Sequence, residues 1–85
     1  MSDYEEAMVA AVSAIIKMEM AGHTPRLSQQ DVAEQVGIHR ETLSRYLGGK
    51  KEMPVGTFFQ VAQVLGVSPA EIMERAEDRV RRTQP

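Results

Sequence analysis

The side chains best equipped for chemistry in this chain cluster between residues 39 and 51: His39, Arg40, Glu41, Ser44, Arg45, Lys50 and Lys51. On a helix, taking Arg40 as zero, Ser44 falls at about 40°, Glu41 at about 100° and Arg45 at about 140°. Leu43, Tyr46 and Leu47 fall at about 300°, 240° and 340°, so one arc is apolar and the other polar. The polar arc holds groups that can hydrogen-bond base edges: Arg forks onto guanine, Glu accepts from cytosine, and Ser bonds either way. His39 stands at the start of that helix. Other chemistries lack their parts. Gly49-Lys50 suggests a phosphate loop, but that motif needs Gly at position 44 and Ser or Thr at 51, where Ser44 and Lys51 stand. His23 and His39 are far apart in a chain with no Cys, so no metal site is expected. Without paired carboxylates, a nucleophile–base set or a cofactor motif, neither enzymatic activity nor a cofactor is expected.

Presenting that arc requires residues 29–47 to fold as two short helices packed across a turn. Ser28 can cap a helix with Asp31 at its third position, predicting a helix over about 29–36. Gly37 permits a left-handed turn, and a second helix follows over 40–47, closed by Gly48-Gly49. Ala33 is small enough for close crossing, and Val32, Val36, Ile38, Leu43 and Leu47 supply the apolar seal of a helix-turn-helix. Around this pair, Met8, Val12, Ile15 and Met18 predict a first helix over about 3–21, with Asp3 as its cap and Gly22 as its stop. Phe58, Val61, Ala62 and Leu65 line a fourth over about 56–65, ended by Gly66. Ser68-Pro69-Ala70-Glu71 opens a fifth, over about 69–80, and the final Arg-Thr-Gln-Pro is expected to fray. No stretch alternates as a strand does. The expected fold is all-α, a compact five-helix bundle occupying residues 1–85 as a single domain.

Composition supports this reading. The chain has 85 residues, 42% hydrophobic and 26% charged, the balance of a globular protein and the length of one domain. The lack of Cys, of a basic leader and of any run near the roughly 18 apolar residues that cross a bilayer predicts a cytoplasmic protein with no membrane partner. Net charge is −2, which alone argues against nucleic acid. The distribution reverses the argument. Residues 26–51 carry five bases and three acids, a local +2, against −3 before them and −1 after.

From Leu27 to about Met73 the chain reads L-S-Q-Q-D-V-A-E-Q-V-G-I-H-R-E-T-L-S-R-Y-L-G-G-K, then P-V-G-T-F-F-Q-V-A-Q-V-L-G-V-S-P-A-E-I-M. In order and spacing this resembles the helix-turn-helix regulators of the phage-repressor and Cro type, the XRE family, whose fold is lambda-repressor-like. The resemblance implies that residues 40–47 are a recognition helix in the major groove, with Arg40, Glu41, Ser44 and Arg45 reading bases. It implies that Gln29 bonds a phosphate and braces Arg40, and that Lys50 and amides near Thr57 meet the DNA backbone. His39 and Lys51 join the expected phosphate contacts. The chain departs from the family at His39, where Ser or Thr is usual, at Gly48-Gly49 in place of Asn-Gly, and at Val55 in place of a Ser cap. Basic residues common in the family's first helix are nearly absent.

Each feature also has a plainer reading. Arg40 and Arg45 can be surface residues, and Lys50 and Lys51 a solvated turn. Glu41 can read cytosine, repel phosphate or brace an Arg, the last being favoured. Tyr46 reads as a half-buried packing residue whose hydroxyl reaches a phosphate. Met8, Met18, Met20, Met53 and Met73 read as core or interface filler rather than a ligand groove. Arg79, Arg81 and Arg82 face Glu74, Glu77 and Asp78 at helical steps, as on a solvated, salt-bridged helix end. The stripe Ile72, Met73, Ala76 and Val80 either covers the first helix or forms a dimer face, and dimerisation is expected because a module with few cations binds DNA weakly by itself. The resulting expectation is a sequence-specific double-stranded DNA-binding regulator, a phage or prophage repressor or Cro-like protein acting as a homodimer at an operator. Without a ligand domain, its control is expected to come through abundance, proteolysis or a partner. The alternative is an antitoxin or other protein-interaction module with a protein partner.

Overall fold

The computed structural model describes residues 3–83. Within them the chain forms α1 (Asp3–Gly22), α2 (Gln29–Val36), α3 (Arg40–Leu47), α4 (Val55–Leu65) and α5 (Pro69–Thr83). No strand occurs among the described residues. The radius of gyration is 12.4 Å, close to the roughly 12 Å of a folded chain of this length.

Every helix gives at least one fully buried large side chain to a common core: Ile16 from α1, Val32 from α2, Leu43 and Leu47 from α3, Val61 from α4 and Ile72 from α5. α5 lies along α1, while α2 packs on both α3 and α4 and α3 on α1, so the short pair is clamped between α1 and α4.

The start of α2 is a reciprocal cap. The Asp31 amide donates to Ser28 Oγ at 3.1 Å, and the Ser28 amide donates to the Asp31 carboxylate at 3.0 Å. These bonds satisfy donors that a helix start otherwise leaves open. Its end is Gly37 at φ 84°, where the Gly37 and Ile38 amides both close on the Ala33 carbonyl at 2.8 and 3.0 Å. That left-handed residue reverses the chain within two positions and sets α3 against α2.

Four helix ends differ from the sequence expectation. α1 runs through Gly22, its expected stop. α4 begins at Val55 rather than Gly56, with Pro54 in the cap position and its carbonyl accepting from the Phe58 amide at 2.9 Å. Proline's fixed φ suits a helix start, so no Ser is needed there. Asp3 lies inside α1 rather than capping it. α5 continues to Thr83, whose hydroxyl donates to the Arg79 and Val80 carbonyls at 3.1 and 3.2 Å. Arg82 and Thr83 are therefore helical, while Gln84 and Pro85 lie outside the described residues.

Candidate nucleic-acid interface

α3 is amphipathic along its whole length. Leu43, Tyr46 and Leu47 are buried, whereas Arg40, Glu41, Ser44 and Arg45 are exposed on the opposite arc. Eight residues make a rod about 12 Å long, comparable to the roughly 12 Å width of the DNA major groove.

Three attachments hold this rod. Its apolar underside is sealed against the core. The Ser13 hydroxyl, buried on α1, donates to the Tyr46 carbonyl at 2.9 Å. Beyond the helix end, the Lys50 amide donates to the Arg45 carbonyl at 3.0 Å and the Gly49 amide to Tyr46 at 3.2 Å. Gly49, at φ 73°, takes the left-handed turn that brings Lys50 back beside the end of α3. At the start, His39 is extended and exposed and makes no side-chain cap. Its imidazole is thus left for another partner.

The charge on this face is uncommitted. Among the described residues, Arg40, Arg45, Lys50 and Lys51 make no ion pair. On α5 three of the four arginines are paired: Arg75 with Glu19 at 2.9 Å and Glu71 at 3.7 Å, and Arg81 and Arg82 with Asp78, while Arg79 makes no ion pair among the described residues. The two acids of α2 are occupied within that helix and its cap. Glu34 accepts from the Gln30 amide group at 2.8 Å, and Asp31 is tied into the α2 cap. The Ser28 amide, and after it the Ser28 hydroxyl, hold the Asp31 carboxyl below the usual aspartate range.

The structure corrects several sequence expectations. Glu41 braces neither Arg40 nor Arg45, since no ion pair involves it among the described residues. Glu41 and Arg45 stand at the i,i+4 spacing at which a helix can pair them, but on an exposed arc such a pair gains little over solvation. Gln29, only partly exposed at the start of α2, makes no hydrogen bond to Arg40 among the described residues. Tyr46 is buried, 6% exposed, rather than half-buried, with Lys51 Nζ 6.0 Å from its ring centroid. The stripe on α5 is not a free face: Ile72 and Ala76 are 0% and Val80 3% exposed, because α1 covers them, and only Met73 remains open at 37%. Ser13 was missed as an anchor of α3, although a lone hydroxyl inside an apolar run is a signal of a specific internal bond.

A short helix pair clamped so that one polar, cation-bearing arc faces solvent defines a DNA-binding domain of the helix-turn-helix class. The family model described as Helix-turn-helix matches residues 26–72, more than half of the chain, and the protein belongs to that family in its phage-repressor and Cro (XRE) type. It is a DNA-binding regulator by that membership. No curated protein and no solved structure matches the chain. No helix among the described residues is long and apolar enough to cross a membrane.

Proposed function

We propose that this protein represses transcription by occupying an operator as a homodimer, with α3 of each copy in the major groove. The observation that carries the reading is the exposed arc of Arg40, Glu41, Ser44 and Arg45 on a helix fixed from below. Arg40 and Arg45 read guanine, Ser44 bonds a base edge, and Glu41 accepts from cytosine or excludes other bases. Gln29, His39, Lys50, Lys51 and Thr57 flank the arc and take the phosphates that set its register.

A chain of net charge −2 gains little from phosphate contacts as a single module. Pairing two copies on half-sites about 34 Å apart doubles the contacts. Because α1 covers the α5 stripe, the pairing surface is assigned to α4, where Val55 and Phe59 are 67% and 53% exposed and stand four residues apart on one face.

Selection from a random duplex pool at two salt concentrations tests the reading. The expected product is a two-fold-symmetric sequence with half-sites one helical turn apart, retained at the higher salt. Enrichment of no sequence at either salt rejects it.

A further inference from the structure

Between α1, the α3–α4 loop, α4 and α5 the helices fail to close, leaving an open cavity of about 400 Å³. That volume lies in the roughly 300–1,000 Å³ range of small-molecule sites, and its apolar walls set it apart from the two charged grooves of similar volume along α5. Its apolar lining includes Met8, Val12, Met53 and Phe58, and Met73 stands at its side. The methionines that read as filler in the sequence therefore line a groove, and their flexible thioethers let such a wall adapt to an occupant.

The polar part of the lining has one sign. Glu5, Glu52 and Glu77 line the cavity, and no Lys, Arg or His is among its described lining residues. Of these, Glu52 and Glu77 carry the argument. The flanking chain is acidic as well, by −3 over residues 1–25 and −1 over 52–85. Two tyrosines, Tyr4 and Tyr46, join Phe58 as the aromatic residues of the walls. Aromatic faces and carboxylates attract a weakly hydrated cation, and apolar walls bind the body attached to it. The protein already sets an ammonium near one of these rings, Lys51 Nζ at 6.0 Å from Tyr46. An anionic ligand meets repulsion in the same place.

We infer that this cavity is an effector site for a lipophilic cation, an apolar body with an ammonium-type head, and that filling it weakens DNA binding by α3. The second half rests on the function proposed above. Its route is short: Tyr46 belongs to α3 and adjoins Arg45, while Glu52 and Met53 directly follow Lys50 and Lys51. A cation lodged against Tyr46 and Glu52 repels Lys51 and displaces it from the ring, shifting the turn that holds a phosphate contact. Control by a small molecule then needs no second domain.

Three probes of one chain length, each below its micelle threshold, test this on the DNA-free full chain by calorimetry and methionine-methyl NMR: decyltrimethylammonium, decanol and decanoate. The cation is expected to saturate at one per chain, to move the Met8, Met53 and Met73 methyls, and to bind about tenfold or more tightly than decanol, with decanoate weakest. Combining Glu52→Gln with Glu77→Gln should bring the cation down to the level of decanol and leave decanol unchanged. Saturating cation should lower affinity for the selected duplex about fivefold or more, within the usual span of coupling between sites, and the double variant should lose that effect. Equal binding of the three probes, or unmoved methyls, overturns the site. Val55 of the proposed pairing face also lines the groove, so methyl shifts that follow protein concentration and do not change further with probe also overturn it, since a second copy then fills the groove. Unchanged duplex affinity at saturation, or a loss that persists in the double variant, overturns the effector role. A chain that takes the cation but no duplex refutes the DNA reading while leaving the site standing, and one that binds duplex but no probe refutes the site alone.

Discussion

Arg45 and Lys50 are joined by a backbone bond of 3.0 Å, yet their proposed work differs. Arg45 stands on the outward arc of α3, where a guanidinium reaches a base edge, and Lys50 stands past the helix end, where an ammonium reaches only phosphate. Arg45→Ala is expected to cost about 1–3 kcal/mol of binding and to relax one base position. Lys50→Ala should weaken all sequences alike and flatten the slope of log affinity against log salt by about one. Titrating both variants against cognate and scrambled duplexes separates the roles; equal losses on the two duplexes for Arg45→Ala remove its base-reading role. Asp31 carries a different consequence. Its folded pKa is depressed by the Ser28 amide and hydroxyl, so its stabilisation is complete above the ordinary aspartate pKa and fades as pH falls through the lower folded value. Wild type should therefore exceed Asp31→Asn in thermal stability at neutrality, with the gap closing in strong acid. A gap that is constant with pH would show that the charged cap contributes nothing. At this scale the sequence was legible where periodicity decides direction, as with Arg40, Ser44 and Arg45. It did not show that Glu41 forms no ion pair, because its i,i+4 place before Arg45 permits a bridge and competition with solvent decides against it.

The elements owe their precision to their ends. α2 and α3 are eight residues each, too short to be stable as isolated helices, so caps and packing must hold them. Gly37 decides their crossing. At φ 84° it occupies a conformation that L side chains rarely adopt, while an added Cβ would meet nothing within 4 Å. The cost of Gly37→Ala is thus conformational rather than steric, about 1–2 kcal/mol. Denaturant titration should show that loss, and DNA affinity should fall with it as α3 leaves its angle; unchanged stability would mean that the turn tolerates another geometry. Ser28, Gly37 and Gly66 made these ends readable from residue type, because each supplies a capping group or a backbone freedom that few others can. The start of α4 was misplaced by one residue since Pro54 serves as the cap without a side-chain bond.

Across the whole molecule, the decisive arrangement is α5 laid along α1. It consumes Ile72, Ala76 and Val80 and adds the Arg75–Glu19 bridge, so the proposed pairing of two copies needs another surface. If α4 supplies it, Phe59→Glu should convert the dimer to a folded monomer in sedimentation velocity and reduce operator affinity steeply, with helix content unchanged. A variant that remains dimeric would move the interface off α4. The amphipathic stripe of α5 was legible, but a stripe states only that one face is to be covered. By itself the sequence determined the all-helical class, the helix-turn-helix and the outward arc of α3, because each follows from local periodicity, capping chemistry and glycine's freedom. Only the tertiary structure decided what covers α5, which hydroxyl anchors α3 and where the helices leave a cavity, because these depend on which surfaces meet across the chain, and local pattern does not carry that information.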